Sequence, residues 1–304
     1  MGLERAVRLD GKVAIVTGSG RGLGLAFARS LAAAGAAVVV NDVDARAADE
    51  AAAAICAQGG KAVAEAVPVG ETEAAERLVA TAVRSFGRLD ILCANAGNLR
   101  DRVLWKLADD DFDSVVATHL RGTFTCARAA VRQMRAQESP GRLVLVASPA
   151  GQRGNPGQTA YAAAKAGIAS FARTWSMECA RSGITVNAIV PVALTRMVAT
   201  MPAFAPYAEA LARGEPLPDS LRKGAGMGSP EDVAPLVVFL ASDLAAHITG
   251  QCIGLGGDRL SLWSHPQEIR CAFRDGGWSA EAIAQAWPAT VGSHPESVGL
   301  PPMP

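Results

Sequence analysis

The sequence predicts an α/β fold built on a doubly wound parallel sheet, and three observations predict it. Short apolar runs rich in β-branched residues occur at VAIVT (13–17), AVVV (37–40), LDILC (89–93), RLVLVA (142–147) and ITVNAIV (184–190). Between them, the segments 22–34, 44–57, 72–86, 110–136 and 158–181 are rich in Ala, Leu, Arg and Glu, which favours helix. Strands joined through helices of that length need crossovers, so they run parallel with helices on both faces. Strands covered on both faces should be apolar throughout rather than alternating, and these are.

The bulk numbers bound the rest. A chain of 304 residues holds one large or two modest domains. No internal repeat or low-complexity linker interrupts it before about residue 196, so 1–258 reads as one domain and 259–304 as an extension packed on it or on a neighbouring subunit. Hydrophobic residues at 50% and charged residues at 19% exclude a disordered composition. Twenty-nine basic residues against twenty-nine acidic ones leave no electrostatic footprint for nucleic acid or an anionic membrane surface. An anionic ligand must therefore be held locally. The N-terminal stretch MGLERAVRLDGK lacks the apolar segment of a signal peptide, and no later run reaches the ~18–20 uncharged residues of a membrane span. Cys56, Cys93, Cys126, Cys179, Cys252 and Cys271 are dispersed, without metal-ligand or disulfide spacing, which suits a reducing cytoplasm and predicts no metal.

Taken in order, the first strand runs into TGSGRGLG (17–24) and then into a helical segment. Gly18, Gly22 and Gly24 allow a tight turn, close approach of a pyrophosphate and close helix packing, and the helix N-terminus adds oriented N–H groups. Arg21 and Leu23 complete the loop expected against the cofactor. The second strand ends in Asn41-Asp42, about twenty residues on. A carboxylate there accepts both ribose hydroxyls of NAD and repels the extra phosphate of NADP, so NAD is the expected cofactor. Arg21 points the other way, because a guanidinium in this loop can meet a 2′-phosphate; the alternative is a solvated loop charge. The competing reading is that the glycines only make a turn and Asp42 only caps the next helix.

Past the loop come Asn95-Ala96-Gly97 at the end of a strand, Tyr161-Ala-Ala-Ala-Lys165, and Ser148 thirteen positions before the tyrosine. With these motifs the chain resembles the short-chain dehydrogenase/reductase family over about residues 10–258. The resemblance implies a single-domain Rossmann fold, a Ser148/Tyr161/Lys165 catalytic group, a small-molecule substrate, and a homodimer or homotetramer. It also implies that Lys165 holds the nicotinamide ribose and that Asn95 orders the strand end beneath the cofactor. The chemistry is coherent by itself. A phenol near pKa 10 acts as acid or base near neutrality only with positive charge beside it, and Lys165 sits one helical turn from Tyr161. Ser148 would bind the substrate oxygen. Taken singly, each of the three also suits an ordinary packing, solvated or strand-end residue.

Several positions depart from the usual family pattern. Where many members carry an asparagine that holds a relay water, this chain has His119. NLRDR (98–102) and HLRGTF (119–124) resemble the hydroxyacyl-CoA dehydrogenase module of peroxisomal multifunctional enzymes and their bacterial relatives, which have histidine there. An imidazole donates and accepts hydrogen bonds and can serve the relay, or it can simply pack. The familiar Pro-Gly after the 184–190 strand is Pro191-Val192, which leaves Thr195 as the nearest candidate for the carboxamide contact. The third strand ends in Pro68-Val69, so Val69 offers the adenine only backbone. Prolines 202, 206, 216 and 218 break any helix in 197–228, which reads as a substrate lid. The extension, with Trp263, Trp278 and Trp287, has room for two or three short helices; it covers the site mouth, covers a subunit face, or packs as core. The function expected is an NAD-dependent 3-hydroxyacyl-CoA dehydrogenase of fatty-acid or sterol side-chain breakdown. Alternatives are a hydroxysteroid or other secondary-alcohol dehydrogenase or ketone reductase and, from another class, a non-catalytic cofactor-binding regulatory protein.

Overall fold

Apolar residues on successive strand positions face opposite sides of the sheet, and each side has helices to receive them. In the computed structural model, which describes residues 7–195, 198 and 204–300, the first such run is β1 (Val13–Val16). The order then runs α1 (Gly22–Ala33), β2 (Ala37–Asp42), α2 (Ala45–Ala57), β3 (Lys61–Ala66), α3 (Thr72–Phe86) and β4 (Ile91–Ala94). It continues with α4 (Asp109–Val116), α5 (Gly122–Ala136), β5 (Arg142–Val146), α6 (Pro149–Arg153), α7 (Thr159–Glu178) and β6 (Thr185–Pro191). Last come α8 (Ala205–Ala212), α9 (Pro230–Ala241), β7 (Cys252–Gly256), β8 (Arg259–Trp263) and α10 (Ala280–Ala286).

The strands form one sheet in the order β3-β2-β1-β4-β5-β6-β7-β8, parallel except for β8. This is the doubly wound α/β architecture that the sequence predicts. Ala14, Val16, Ile91 and Cys93 join the core beneath α1, α2 and α9, while Val13, Ile15, Leu92 and Ala94 join the core beneath α3, α5 and α7. Among the described residues, no helix is long and apolar enough to cross a membrane.

Two stretches differ from expectation in a way that matters for the site. The segment 110–136 is helical but not uniform: Ala117–Arg121 form a π-turn between α4 and α5. One wider turn shifts the phase of everything after it and turns His119 inward, where it is 2% exposed. The lid segment is part helix, with α8 and a second π-turn at Ser220–Ala225 around a small core of Leu194, Leu217 and Met227. Met197 and 199–203 lie outside the described residues.

In the extension, the expected short helices reduce to α10 and a 3-10 turn at Trp287–Ala289, and its first residues form β8, an edge strand antiparallel to β7. Further on, the Arg153 guanidinium donates to the carbonyl of Gly299 at 2.8 Å and to Ser297, which ties this stretch to α6.

The α1 face depends on Phe27, which is fully buried. Phe27→Ala should cost about 3–5 kcal/mol, read as a fall in the denaturant midpoint without a change of slope.

Candidate active site

β1 has β2 on one side and β4 on the other, and the chain leaves these neighbours in opposite directions, which opens a crevice at their C-terminal ends. Hydrogen bonds lace the strand tips together there. Thr17 Oγ1 accepts the N–H groups of Asn95 (2.9 Å) and Ala96 (3.0 Å). Asn95 Nδ2 donates to the carbonyls of Thr17 and Gly18, both at 3.0 Å. Buried Asn41 reaches the third strand, where its Nδ2 donates to the carbonyls of Glu65 (3.0 Å) and Val67 (2.9 Å).

The glycine loop is shaped for an anion. A Cβ on Gly24 would lie 2.2 Å from the Gly18 carbonyl oxygen, so no other residue lets α1 start so close to the turn. Gly22, at φ +58°, faces space with nothing within 4 Å of where a Cβ would be. The helix has no side-chain cap and no acidic residue in its first turn. Its first intrahelical bond runs from Leu25 N–H to the Arg21 carbonyl at 3.3 Å, which leaves the N–H groups of Gly22, Leu23 and Gly24 free of intrahelical partners. Leu23 itself packs its side chain on the core beneath. At the end of β2, Asp42 Oδ2 accepts the Gly20 N–H and Oδ1 accepts the Asp44 N–H, each at 3.1 Å. That fixes the carboxylate at the crevice edge. The residues present therefore fit a dinucleotide: free N–H groups for the pyrophosphate and a positioned acid for a ribose.

On the other side of the crevice, Ser148 lies two residues past β5, where its Oγ accepts the Ala150 N–H at 3.2 Å and caps α6. Tyr161 and Lys165 stand one turn apart on α7. Lys165 is 3% exposed, and its Nζ donates to the Val146 carbonyl at 2.5 Å and sits 5.6 Å from the centre of the Tyr161 ring. Burial brings its amine down to about 7. Burial also raises the Tyr161 phenol; the Ser148 hydroxyl pulls it back and the Asp101 carboxylate pushes it further up. The sequence suggests that Lys165 lowers the phenol, whereas in the protein alone desolvation dominates and the ammonium is engaged by Val146.

His119 closes the group, its ring edge-on to that of Tyr161 with centroids 5.2 Å apart. Its Nε2 lies 2.7 Å from the Asn98 carbonyl oxygen and 3.0 Å from the Asn98 N–H. Both contacts fall on the same ring nitrogen, and Nδ1 is buried without a partner. Burial first, and then the charge of Lys165, hold the imidazole down at about 3, so it is neutral throughout the physiological range. Gly97 makes room for it: a Cβ there would lie 2.2 Å from His119 Cε1.

The remaining expected contacts are looser. Pro191 ends β6 opposite Leu255. Thr195 Oγ1 accepts the Val198 N–H at 3.4 Å and so faces the lid. Val69 packs on the core beside Gly122 rather than standing free.

Some contacts carry no signal in the sequence. Asp101 Oδ2 accepts from Gln158 Nε2 at 3.0 Å, and the Arg102 N–H donates to the Gly157 carbonyl at 2.8 Å, clasping the loop that leads into α7 two residues before Tyr161. The buried polar atoms without partners, among the described residues, are Asn98 Oδ1, Asp101 Oδ1, His119 Nδ1 and Gln152 Nε2. All belong to the 98–101 strip, the π-turn or α6, the segments around Ser148 and Tyr161. Buried polar groups are normally paired, so they mark where water or ligand belongs.

Residues 18–257 match the family model described as enoyl-(acyl carrier protein) reductase. A structure of a short chain dehydrogenase from Mycobacterium avium superposes with a TM-score of 0.80 at 35% identity, covering 95% of this chain and 97% of that one. The chain belongs to the short-chain dehydrogenase/reductase family. Among curated relatives, a hydroxyacyl-CoA dehydrogenase of Mycobacterium tuberculosis, ChsB1, is 41% identical over 88% of this chain and 84% of its own. A 3-oxoacyl-[acyl-carrier-protein] reductase of Synechocystis is 40% identical over 82% of this chain and 97% of its own. As a short-chain dehydrogenase/reductase, the protein is an oxidoreductase of secondary alcohols and ketones with a nicotinamide cofactor.

Two outcomes follow for this short-chain dehydrogenase/reductase. Gly97→Ala should displace His119, with a loss of turnover larger than the loss of thermal stability, measured by kcat and Tm on one preparation. Asp101→Asn removes a negative charge facing the phenol, so the limb of the oxidation pH profile that reports Tyr161 should move to lower pH.

Proposed function

We propose that the protein is an NAD-dependent dehydrogenase of 3-hydroxyacyl-CoA thioesters in fatty-acid or sterol side-chain catabolism. The gathering of Ser148, Tyr161, Lys165 and His119 across the crevice from Asp42 carries the reading. Asp42 favours NAD, because its carboxylate is already fixed by two backbone N–H groups and stands where a 2′-phosphate would meet it. Gly18, Gly22, Leu23 and Gly24 hold the pyrophosphate; Asn95, Ala96 and Gly97 floor the crevice; Pro191 and Thr195 border the nicotinamide. A bound nicotinamide ring supplies the acceptor or donor for the hydride.

The protein's own residues handle the proton. Ser148 Oγ takes one hydrogen bond from Ala150, which leaves its own hydrogen to donate to the substrate oxygen. Tyr161 removes the hydroxyl proton in oxidation and returns it in reduction. Lys165 gives one of its three N–H bonds to Val146 and keeps the others for the ribose and the relay. Negative charge developing on the phenol holds Lys165 protonated, offsetting the burial that brings its amine down to about 7. His119, neutral, accepts from a relay water through Nδ1, the role an asparagine fills in many relatives.

The thioester assignment draws on the likeness to the tuberculosis hydroxyacyl-CoA dehydrogenase and on the 98–102 and 119–124 strings. The likeness to the Synechocystis reductase favours a second reading, a ketone reductase.

A panel of 3-hydroxyacyl-CoA esters, hydroxysteroids and simple secondary alcohols, each with NAD and NADP, separates these readings. Turnover of the thioesters with NAD is expected; turnover of free alcohols alone would remove the thioester assignment. Tyr161→Phe should keep NAD binding and lose about 10²–10⁴-fold in kcat, measured by dye-free NADH absorbance.

A further inference from the structure

Arg21 and Asp42 make opposite demands on the cofactor, and the structure holds both at Gly20: Arg21 follows it in the chain, and the Asp42 carboxylate accepts its N–H at 3.1 Å. We propose that Asp44 resolves the conflict as a second cofactor-selecting residue: it ties Arg21 back, so that the space beside Asp42 presents no free cation to a 2′-phosphate. The inference rests on the NAD reading above and extends it to a residue that itself need not touch NAD.

The Arg21 guanidinium is ion-paired through Nη2 with Asp44 Oδ2. A pair this exposed, with side chains 47% and 48% accessible, ordinarily contributes little because two mobile chains must be held in one geometry. Here one partner is already held. Asp44 is the N-cap of α2, with Oδ1 accepting the Ala47 N–H at 3.2 Å, and its own N–H is bound by Asp42 at 3.1 Å. The helix start thus aims the second carboxylate oxygen at Arg21 without further ordering of the acid.

The neighbourhood shows what that arrangement prevents. A cavity of about 410 Å³ opens at this edge, lined by Gly20, Arg21, Asp44, Arg46, Ala47 and Glu50. Gly20 is the residue whose N–H binds Asp42, so the cavity adjoins the place where a ribose hydroxyl would meet that carboxylate. Each arginine lining it is matched by an acid, Arg21 by Asp44 and Arg46 by Glu50, the latter at 2.7 Å. Discharging Asp44 would leave two guanidinium groups against one carboxylate. Planar forked donors are the groups that bind phosphate in two-point fashion.

The test uses the full chain and reads binding alone. Dissociation constants for NAD and for NADP, measured by calorimetry without substrate, are compared between wild type and Asp44→Asn. Asparagine is as good an N-cap as aspartate, so α2 keeps its start, and Asp44→Ser provides a second capping variant should the first fold poorly. The expected result is a gain in NADP affinity that exceeds any gain for NAD by about tenfold, since a charged hydrogen bond to phosphate becomes available. The gain should shrink with added salt and vanish in the Arg21→Ala/Asp44→Asn double variant. An unchanged NADP to NAD ratio in Asp44→Asn and Asp44→Ser, or a gain that survives loss of Arg21, would overturn the assignment. Tighter binding of NADP than NAD by the wild type would instead overturn the NAD reading, and the change on mutation would still judge Asp44.

Discussion

The tips of β1 and β4 are joined by side chains, and the rest of the site depends on that join. Parallel strands end where their ladder ends, and nothing in backbone pairing fixes the loops beyond. Thr17 and Asn95 take over at that point, each using its side chain on the other's backbone. Thr17 is buried and Asn95 partly so, and groups there would be costly if unpaired, so satisfying them fixes one arrangement of the glycine turn and of the 95–97 strip together. The turn then sets where α1 begins, and the strip sets where His119 can lie.

The second half of the site is governed by desolvation. An ammonium, a phenol and an imidazole are buried within one cluster, and burial is the largest influence on each. It pushes Lys165 and His119 toward neutrality and keeps the phenol protonated, so the protein by itself holds its acid–base groups in uncharged or barely charged forms. Such a site is responsive: any new charge placed in it is weakly screened and shifts several equilibria at once. The Asp101 carboxylate, clasped to Gln158, is the fixed charge nearest in effect to the phenol and sets part of that balance.

The fold and the central residues were legible because their signals are local. Apolar runs mark the strands, and a tyrosine and lysine four apart on a helix share a face wherever the helix lies. Boundaries moved for physical reasons. Leu89 and Asp90 look like strand but precede β4, with the Asp90 carboxylate accepting the Val13 N–H at 2.9 Å as a side-chain anchor. The π-turn at 117–121 was invisible because periodicity does not register a single wider turn. The Asp101–Gln158 clasp joins residues 57 apart, and no pattern within either segment announces the other. The sign of the effect on Tyr161 was illegible for a related reason: spacing places a charge nearby but says nothing of how dry the place is.

β8 differs from the other strands in how it is attached. Every parallel neighbour in the sheet is reached by a crossover that passes over a face, so removing one would tear out a helix with it. β8 is connected to β7 by the hairpin turn at Gly257-Asp258, with no crossover over a face. The C-terminal segment is therefore topologically a pendant. It can be lengthened or shortened without rerouting the path that builds the crevice.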